Sequence, residues 1–175
     1  MNFDRVFTKR FILSLLLLVA VAPLQFGFLA MVPISLQSLV ILWIAFVFGC
    51  SPATGAVLAY LVLAALGVPI LSGFRGGWQH FAGPTAGFLV GFPVVTYLVG
   101  KYRKRVPMHV FWLFVAFLAG HLALLIFGYI GLAAHQLSFS EIMSEYYSLL
   151  PGTIIKSAVG ASLVRIEFWV RDIGK

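Results

Sequence analysis

Two cations stand apart from the rest of this 175-residue chain, and each is set among residues that could bind a polar group. Arg75 lies in SGFRGGWQHFAGPTAG (72–87), a glycine-rich stretch that runs into Gly83-Pro84-Thr85. Lys156 follows Thr153 by three residues in Pro151-Gly152-Thr153-Ile-Ile-Lys156, a spacing that puts a hydroxyl and an ammonium on one face of a helical turn. Proline suits the first turn of a helix. The N–H groups of that turn have no intrahelical partner and carry the positive end of the helix dipole. Such a set binds an anion or a polar ligand group and needs no covalent chemistry. No Asp or Glu lies inside a neighbouring apolar run, so the counter-charge is expected from a ligand carboxylate. Glu141 and Glu145 are the competing partners within the chain.

The elements that position these groups follow from composition. At 62% hydrophobic residues, 10% charged residues and a mean hydropathy of +1.05, the chain has too little polar surface to cover a soluble globule. It reads as an all-α integral membrane protein, one domain over 1–175, crossing the membrane about six times at about 20 residues per crossing. The apolar runs are 11–30, 33–48, 52–71, 84–100, 110–134 and 151–170, with Ser51-Pro52 as a helix start and glycines from Gly67 to Gly83 breaking the helix. Ten of the twelve Lys and Arg residues fall at the two ends of the chain and in the 101–105 loop, always an even number of crossings apart. The positive-inside rule then puts both termini in the cytoplasm of a multi-pass protein of the cell (inner or plasma) membrane, and Arg75 and Lys156 on the outer half. The net charge of +7 is therefore a topology signal in a lipid bilayer, not a nucleic-acid surface. The single cysteine, Cys50, falls in a cytoplasmic turn and is expected to stay reduced.

Arg5 to Ala22 has the look of a secretory signal, but apolar residues continue through Leu29, so an uncleaved helix is expected. Gly83, Gly87 and Gly91 recur every four residues, the pattern of a close helix-packing seam, and Gly83 also begins its helix. Phe74, Trp78, Phe81, Phe88, Tyr146 and Tyr147 are candidate pocket walls or interfacial anchors. A rival reading is a small intramembrane enzyme using His80, His121 or His135 with Glu141 or Glu145. It lacks a His-Glu-x-x-His, paired carboxylates within a helix and a Gly-x-Ser-x-Gly, and a lone helical histidine reads first as a packed core residue. A lipid-binding or structural membrane protein is a third reading. No metal site or cofactor is expected.

In VPISLQSL (32–39), GVPILSGFRGG (67–77), GPTAGFLVGF (83–92) and LPGTIIKSA (150–158) the chain resembles the BioY biotin-uptake proteins, the substrate-binding S components of energy-coupling factor (ECF) transporters. The resemblance implies six helices and an outward-facing biotin site built from helices 4 to 6 and the outer loops. It also implies partners: a membrane-embedded coupling protein and a pair of ATPases. Lys156 matches the family's substrate-contacting lysine, and Arg75 lies in the matching glycine loop. Under this reading the biotin carboxylate meets Lys156 or Arg75 and a helix end at Gly83 and Thr85, while the ureido ring meets Thr153, Gln37 and Tyr60. Another carboxylate-bearing vitamin or a biotin precursor is the alternative substrate. Three departures stand out: Thr153 where the family commonly has Asp, Phe88 where Tyr is usual, and a first helix without an evident Ala-x-x-x-Ala pair.

Overall fold

The computed structural model describes residues 3–26, 34–135 and 138–173. Six helices carry most of them: α1 (Phe3–Val21), α2 (Gln37–Phe48), α3 (Cys50–Ala65), α4 (Ala86–Tyr102), α5 (Val110–Ala134) and α6 (Phe139–Ile173). A two-residue strand pair accompanies them. The strands β1 (Gln25–Phe26) and β2 (Ile34–Ser35) are antiparallel, with Gln25 opposite Ser35 and Phe26 opposite Ile34.

Helix α2 is the hub, because its sequence, QSLVILWIAFVF, has no polar face to offer to solvent. It packs against α1, α3, α4, α5 and α6, and Leu39 to Leu42 and Ile44 to Val47 are all buried. Around it the remaining helices meet in the pairs α1 with α3, α3 with α4, α4 with α5, and α5 with α6. Their outer faces keep large apolar side chains exposed, among them Leu16, Leu58, Val62, Val90, Ile126, Ile130 and Ile166. That is the surface a hydrocarbon solvent requires and water penalises. Helix α5, 25 residues long with a mean hydropathy of 2.4 over its most apolar 18, and α6 are long and apolar enough to cross a membrane.

Two local devices lock the hub in place. Gly49 joins α2 to α3 at φ +93°, in the left-handed region that glycine adopts without strain. Over that turn Arg103 donates from its guanidinium to the carbonyls of Phe46 and Val47, so a cation covers the carbonyl end of α2. The second device is the seam between α4 and α5. A Cβ on Gly87 would lie 2.1 Å from the Phe127 carbonyl oxygen, and one on Gly91 would lie 2.7 Å from the Phe127 Cβ. The four-residue glycine pattern is thus a close backbone approach, as its spacing predicts.

Several expected boundaries move. The first apolar run was expected to be helical to 30, but α1 ends at Val21 and the chain turns into β1; 27–33 lie outside the described residues. α3 begins at Cys50 with Gly49 as its N-terminal flank, so Pro52 is its third residue and Ser51 is not the cap. It ends at Ala65, six residues short of the expected 71, where the glycines take over. α4 runs from Ala86, two residues later than expected, and α5 matches the expected 110–134.

The largest correction concerns α6, which was expected to start at Pro151 and starts at Phe139 instead. Ser138 and Glu141 form a reciprocal cap there. The Ser138 N–H and hydroxyl both donate to Glu141 Oε2, at 2.7 and 2.6 Å. Pro151 is therefore inside the helix, and no free helix N-terminus exists at Pro151-Gly152-Thr153.

Candidate functional site

A cavity of about 560 Å³ opens where the first turns of α2 and α4, the middle of α5 and α6, and the 71–80 loop converge. This is the size range of pockets that enclose a small-molecule ligand. Its polar groups come from separate elements. Gln37 and Ser38 start α2, Arg75 and His80 stand on the loop, Thr85 precedes α4, His121 comes from α5, and Thr153 and Lys156 come from α6. Leu71, Phe88, Leu89, Phe92, Leu124 and Leu132 make up much of the apolar wall.

Lys156 is the less exposed of the two cations in this arrangement. Its Nζ donates to Ser38 Oγ at 2.9 Å, which leaves two of its three N–H bonds for other acceptors, and no Asp or Glu lines the cavity among the described residues. Glu141 is occupied at the cap of α6, so it does not neutralise Lys156; the side chain of Glu145 lies outside the described residues. Thr153, one helical turn before Lys156 on the same face, is buried and lines the cavity too.

Arg75 sits on a tight hairpin. Leu71 and Arg75 exchange backbone hydrogen bonds at 2.8 and 3.3 Å across Ser72-Gly73-Phe74, and Gly73 and Phe74 both take positive φ to close the loop. Positive φ at a phenylalanine carries strain. The hairpin is tied down by the Gln25 amide, which donates to Ser72 Oγ at 2.6 Å, and by the Gly73 N–H, which donates to the Pro23 carbonyl at 2.9 Å. Arg75 itself is exposed at the cavity edge and donates from Nε to the Ser72 carbonyl at 3.0 Å.

Five of the residues singled out from sequence thus line one cavity: Lys156, Arg75, Thr153, Thr85 and Gln37. Tyr60 and Gly83 do not line it. Tyr60 is fully buried behind Gln37, accepting from its Nε2 at 3.0 Å and donating to the Ile70 carbonyl at 2.8 Å. It fixes the Gln37 amide, whose Oε1 receives no hydrogen bond among the described residues and is left to accept one. The Gly83 carbonyl accepts from the Ala86 N–H in the turn that leads into α4.

Of the aromatic candidates, only Phe88 is a wall. Trp78 stacks on Phe81 outside the cavity, Phe74 and Tyr147 are exposed, and the Tyr146 hydroxyl donates to the Leu125 carbonyl. Sequence reasoning missed Ser38 and read His121 as packing. The signal for Ser38 was its place one residue after Gln37, at the start of a helix that is apolar all round.

Residues 5–171 match the BioY family. Across 171 residues the chain is also 36% identical to the biotin transporter BioY of Rhizobium etli, covering 93% of this chain and 91% of that one. The chain belongs to the BioY family. A shorter stretch of 89 residues, 49% of this chain and 45% of the relative, is 45% identical to the biotin transporter BioY of Rhodobacter capsulatus. Among solved structures, this BioY protein superimposes on a crystal structure of the S-component for biotin from an ECF-type ABC transporter. The TM-score is 0.79 at 25% identity, over 94% of this chain and 93% of the other. Membership in BioY makes the chain a membrane protein, in keeping with its exposed apolar helix faces.

Proposed function

We infer that this BioY protein takes up biotin as the substrate-binding S component of an ECF-type transporter. The relationship that carries the reading is near-full-length: a biotin transporter at 36% identity and a biotin S-component fold at a TM-score of 0.79. It is a transporter and not an enzyme; the histidines and glutamates of the rival reading have no reaction to serve. In the membrane the chain crosses six times with both termini in the cytoplasm, so the cavity faces outward in the cell membrane. A separate coupling protein and a pair of ATPases supply the energy.

Within the cavity the biotin carboxylate pairs with Lys156, with Arg75 at the entrance as a second cation. Gln37 Oε1, fixed by Tyr60, and the Thr153 hydroxyl face the polar ureido end, while Phe88, Phe92 and the leucines hold the ring and valeryl chain. The part-buried ammonium, with no Asp or Glu among the described residues lining the cavity, supports this orientation, since a desolvated charge is costly until an anion meets it.

The test is uptake of radiolabelled biotin by biotin-auxotrophic cells that lack their own transporter and express the chain with its coupling and ATPase proteins. Uptake above the empty-vector level, competed by unlabelled biotin, is the expected result. Uptake equal to the vector control contradicts the reading.

A further inference from the structure

Between α4 and α5 the chain turns through Lys101-Tyr102-Arg103-Lys104-Arg105, four cations in five residues, and no Asp or Glu occurs anywhere between Asp4 and Glu141. The four do not act alike. Arg103 turns inward and donates to the carbonyls of Phe46 and Val47 at the end of α2. Lys101, Lys104 and Arg105 are exposed, and none of them pairs with a carboxylate among the described residues.

Two of these three are held by aromatic rings. The Lys101 Nζ lies 5.5 Å from the centre of the Tyr97 ring and 5.8 Å from that of Tyr102, and the Arg105 guanidinium carbon lies 5.0 Å from the same Tyr102 ring. Tyr102 thus gathers one cation from the last turn of α4 and one from the short 3₁₀ turn Arg103–Arg105. A ring face attracts an ammonium or a guanidinium but offers no oxygen to its N–H bonds, so both groups keep donors for an anion. Two positive charges on one ring also repel each other, and an anion set between them removes that repulsion.

The surroundings say which anion. Tyr97 and Leu98 on α4 and Val110, Phe111 and Trp112 on α5 flank the turn and are exposed, with Phe111 and Trp112 edge to face at 5.4 Å between ring centres. Aromatic side chains at the ends of lipid-facing helices lie at the depth of lipid headgroups. An anion that meets cations at that depth, with apolar side chains below it, is a phospholipid phosphate whose acyl chains run along α4 and α5. The other exposed basic pair of this kind, Arg5 and Lys9 on α1, shares a surface groove with Asp4, whose carboxylate is already there as a counter-charge.

We propose that Lys101, Tyr102 and Arg105 form a binding site for the headgroup of an anionic phospholipid, such as phosphatidylglycerol, at the α4–α5 turn. The assignment rests on the membrane-spanning reading and is independent of what the cavity binds. Under the positive-inside rule the site belongs to the cytoplasmic leaflet. Because Arg103 of the same turn caps α2, a headgroup that orders the turn also steadies the hub helix.

The experiment offers phosphatidylglycerol and phosphatidylcholine in equal amounts to the purified full-length chain in detergent and measures binding of each. It compares the parent, Lys101→Gln/Arg105→Gln and Arg5→Gln/Lys9→Gln. A cation at an anionic headgroup contributes about fivefold in affinity. The parent is expected to prefer phosphatidylglycerol, Lys101→Gln/Arg105→Gln to bind it about 10- to 30-fold more weakly with phosphatidylcholine unchanged, and Arg5→Gln/Lys9→Gln to change by less than about threefold. Equal binding of the two lipids by the parent overturns the assignment. So does an equal loss in both variants, which would make the preference a general effect of charge. Displacement of the lipid by millimolar inorganic phosphate would make the site one for free phosphate and overturns the lipid as its occupant. Loss of uptake by Lys101→Gln/Arg105→Gln with phosphatidylglycerol binding intact overturns it in favour of an acidic partner protein. Crosslinking of the unsubstituted protein with a photoreactive phosphatidylglycerol needs no variant to fold: label within 97–112 is expected, and label spread evenly over α1, α3 and α6 overturns the assignment.

Discussion

The Nζ of Lys156 donates to Ser38 Oγ at 2.9 Å, joining the middle of α6 to the first turn of the buried hub helix α2. Three things follow from this one contact. The ammonium is tied to the hub helix, it keeps donors for a second partner, and it carries a charge that no Asp or Glu among the described lining residues offsets. If the ligand carboxylate meets it, as proposed, an ammonium in that position should destabilise the empty protein and stabilise the occupied one.

Replacing Lys156 with Met should therefore separate stability from binding. The thermal midpoint of the empty protein is expected to be unchanged or higher, because a desolvated charge is removed. Biotin affinity is expected to fall about 10- to 100-fold, the worth of a charge-assisted hydrogen bond. Biotin methyl ester, which has no carboxylate, should bind parent and variant alike. A variant that binds biotin as tightly as the parent places the carboxylate elsewhere.

Arg75 is exposed where Lys156 is part-buried, and its influence should differ in kind. Arg75→Gln is expected to slow association at low ionic strength, with the difference fading as salt is added, and to weaken affinity by less than about tenfold. Stopped-flow fluorescence of ligand binding at two salt concentrations checks this. A salt-independent loss as large as that of Lys156→Met would make Arg75 the principal carboxylate partner instead.

The α4–α5 seam predicts a stability effect without reference to ligand. Gly87→Ala drives a methyl to 2.1 Å from the Phe127 carbonyl oxygen, a clash with backbone that cannot swing aside. A loss of about 1–3 kcal/mol is expected from such overpacking. Gly55→Ala, where the new Cβ meets only the Phe11 ring at 3.4 Å, is the matched control and should be tolerated. Thermal unfolding of the two variants in detergent measures the contrast.

His135, just past the end of α5, gives the fold a pH-sensitive tether. Its Nδ1 faces the Gly131 carbonyl at 2.9 Å and its Nε2 the Ala82 carbonyl at 2.8 Å, and only the imidazolium can donate to both. The contact with Gly131, then that with Ala82, holds the proton more tightly than in a free histidine, so the pKa is raised. A raised folded-state pKa contributes stability that is complete below the unfolded value of about 6.5 and is lost as pH rises through the folded value. The thermal midpoint of the parent should thus fall relative to that of His135→Gln across this window, by a small amount because the ring is exposed. Parallel pH profiles would show that the tether contributes nothing.

Much of the architecture was legible in the sequence because lipid leaves helices few alternatives. The span of α5 came out at 110–134 from hydropathy alone, and the glycine seam from its four-residue spacing. The start of α6 did not, and the reason is physical: Pro151-Gly152 looks like a beginning, yet the Ser138-x-x-Glu141 capping box lies thirteen residues earlier and sets the true one. An interior proline gives up one hydrogen bond, and a long helix packed along α5 can afford that loss. The site shows the same division. Lys156, Thr153, Thr85, Gln37 and Arg75 could be gathered from charge, spacing and family resemblance. Ser38 and His121 depend on which face of α2 and α5 turns inward, and helices that are apolar all round give no periodicity from which to read that face.

Direct titration of the purified protein with labelled biotin tests the central claim most simply. The account predicts saturable binding in the micromolar range or tighter, displaced by unlabelled biotin. The absence of saturable binding by a folded sample would contradict it.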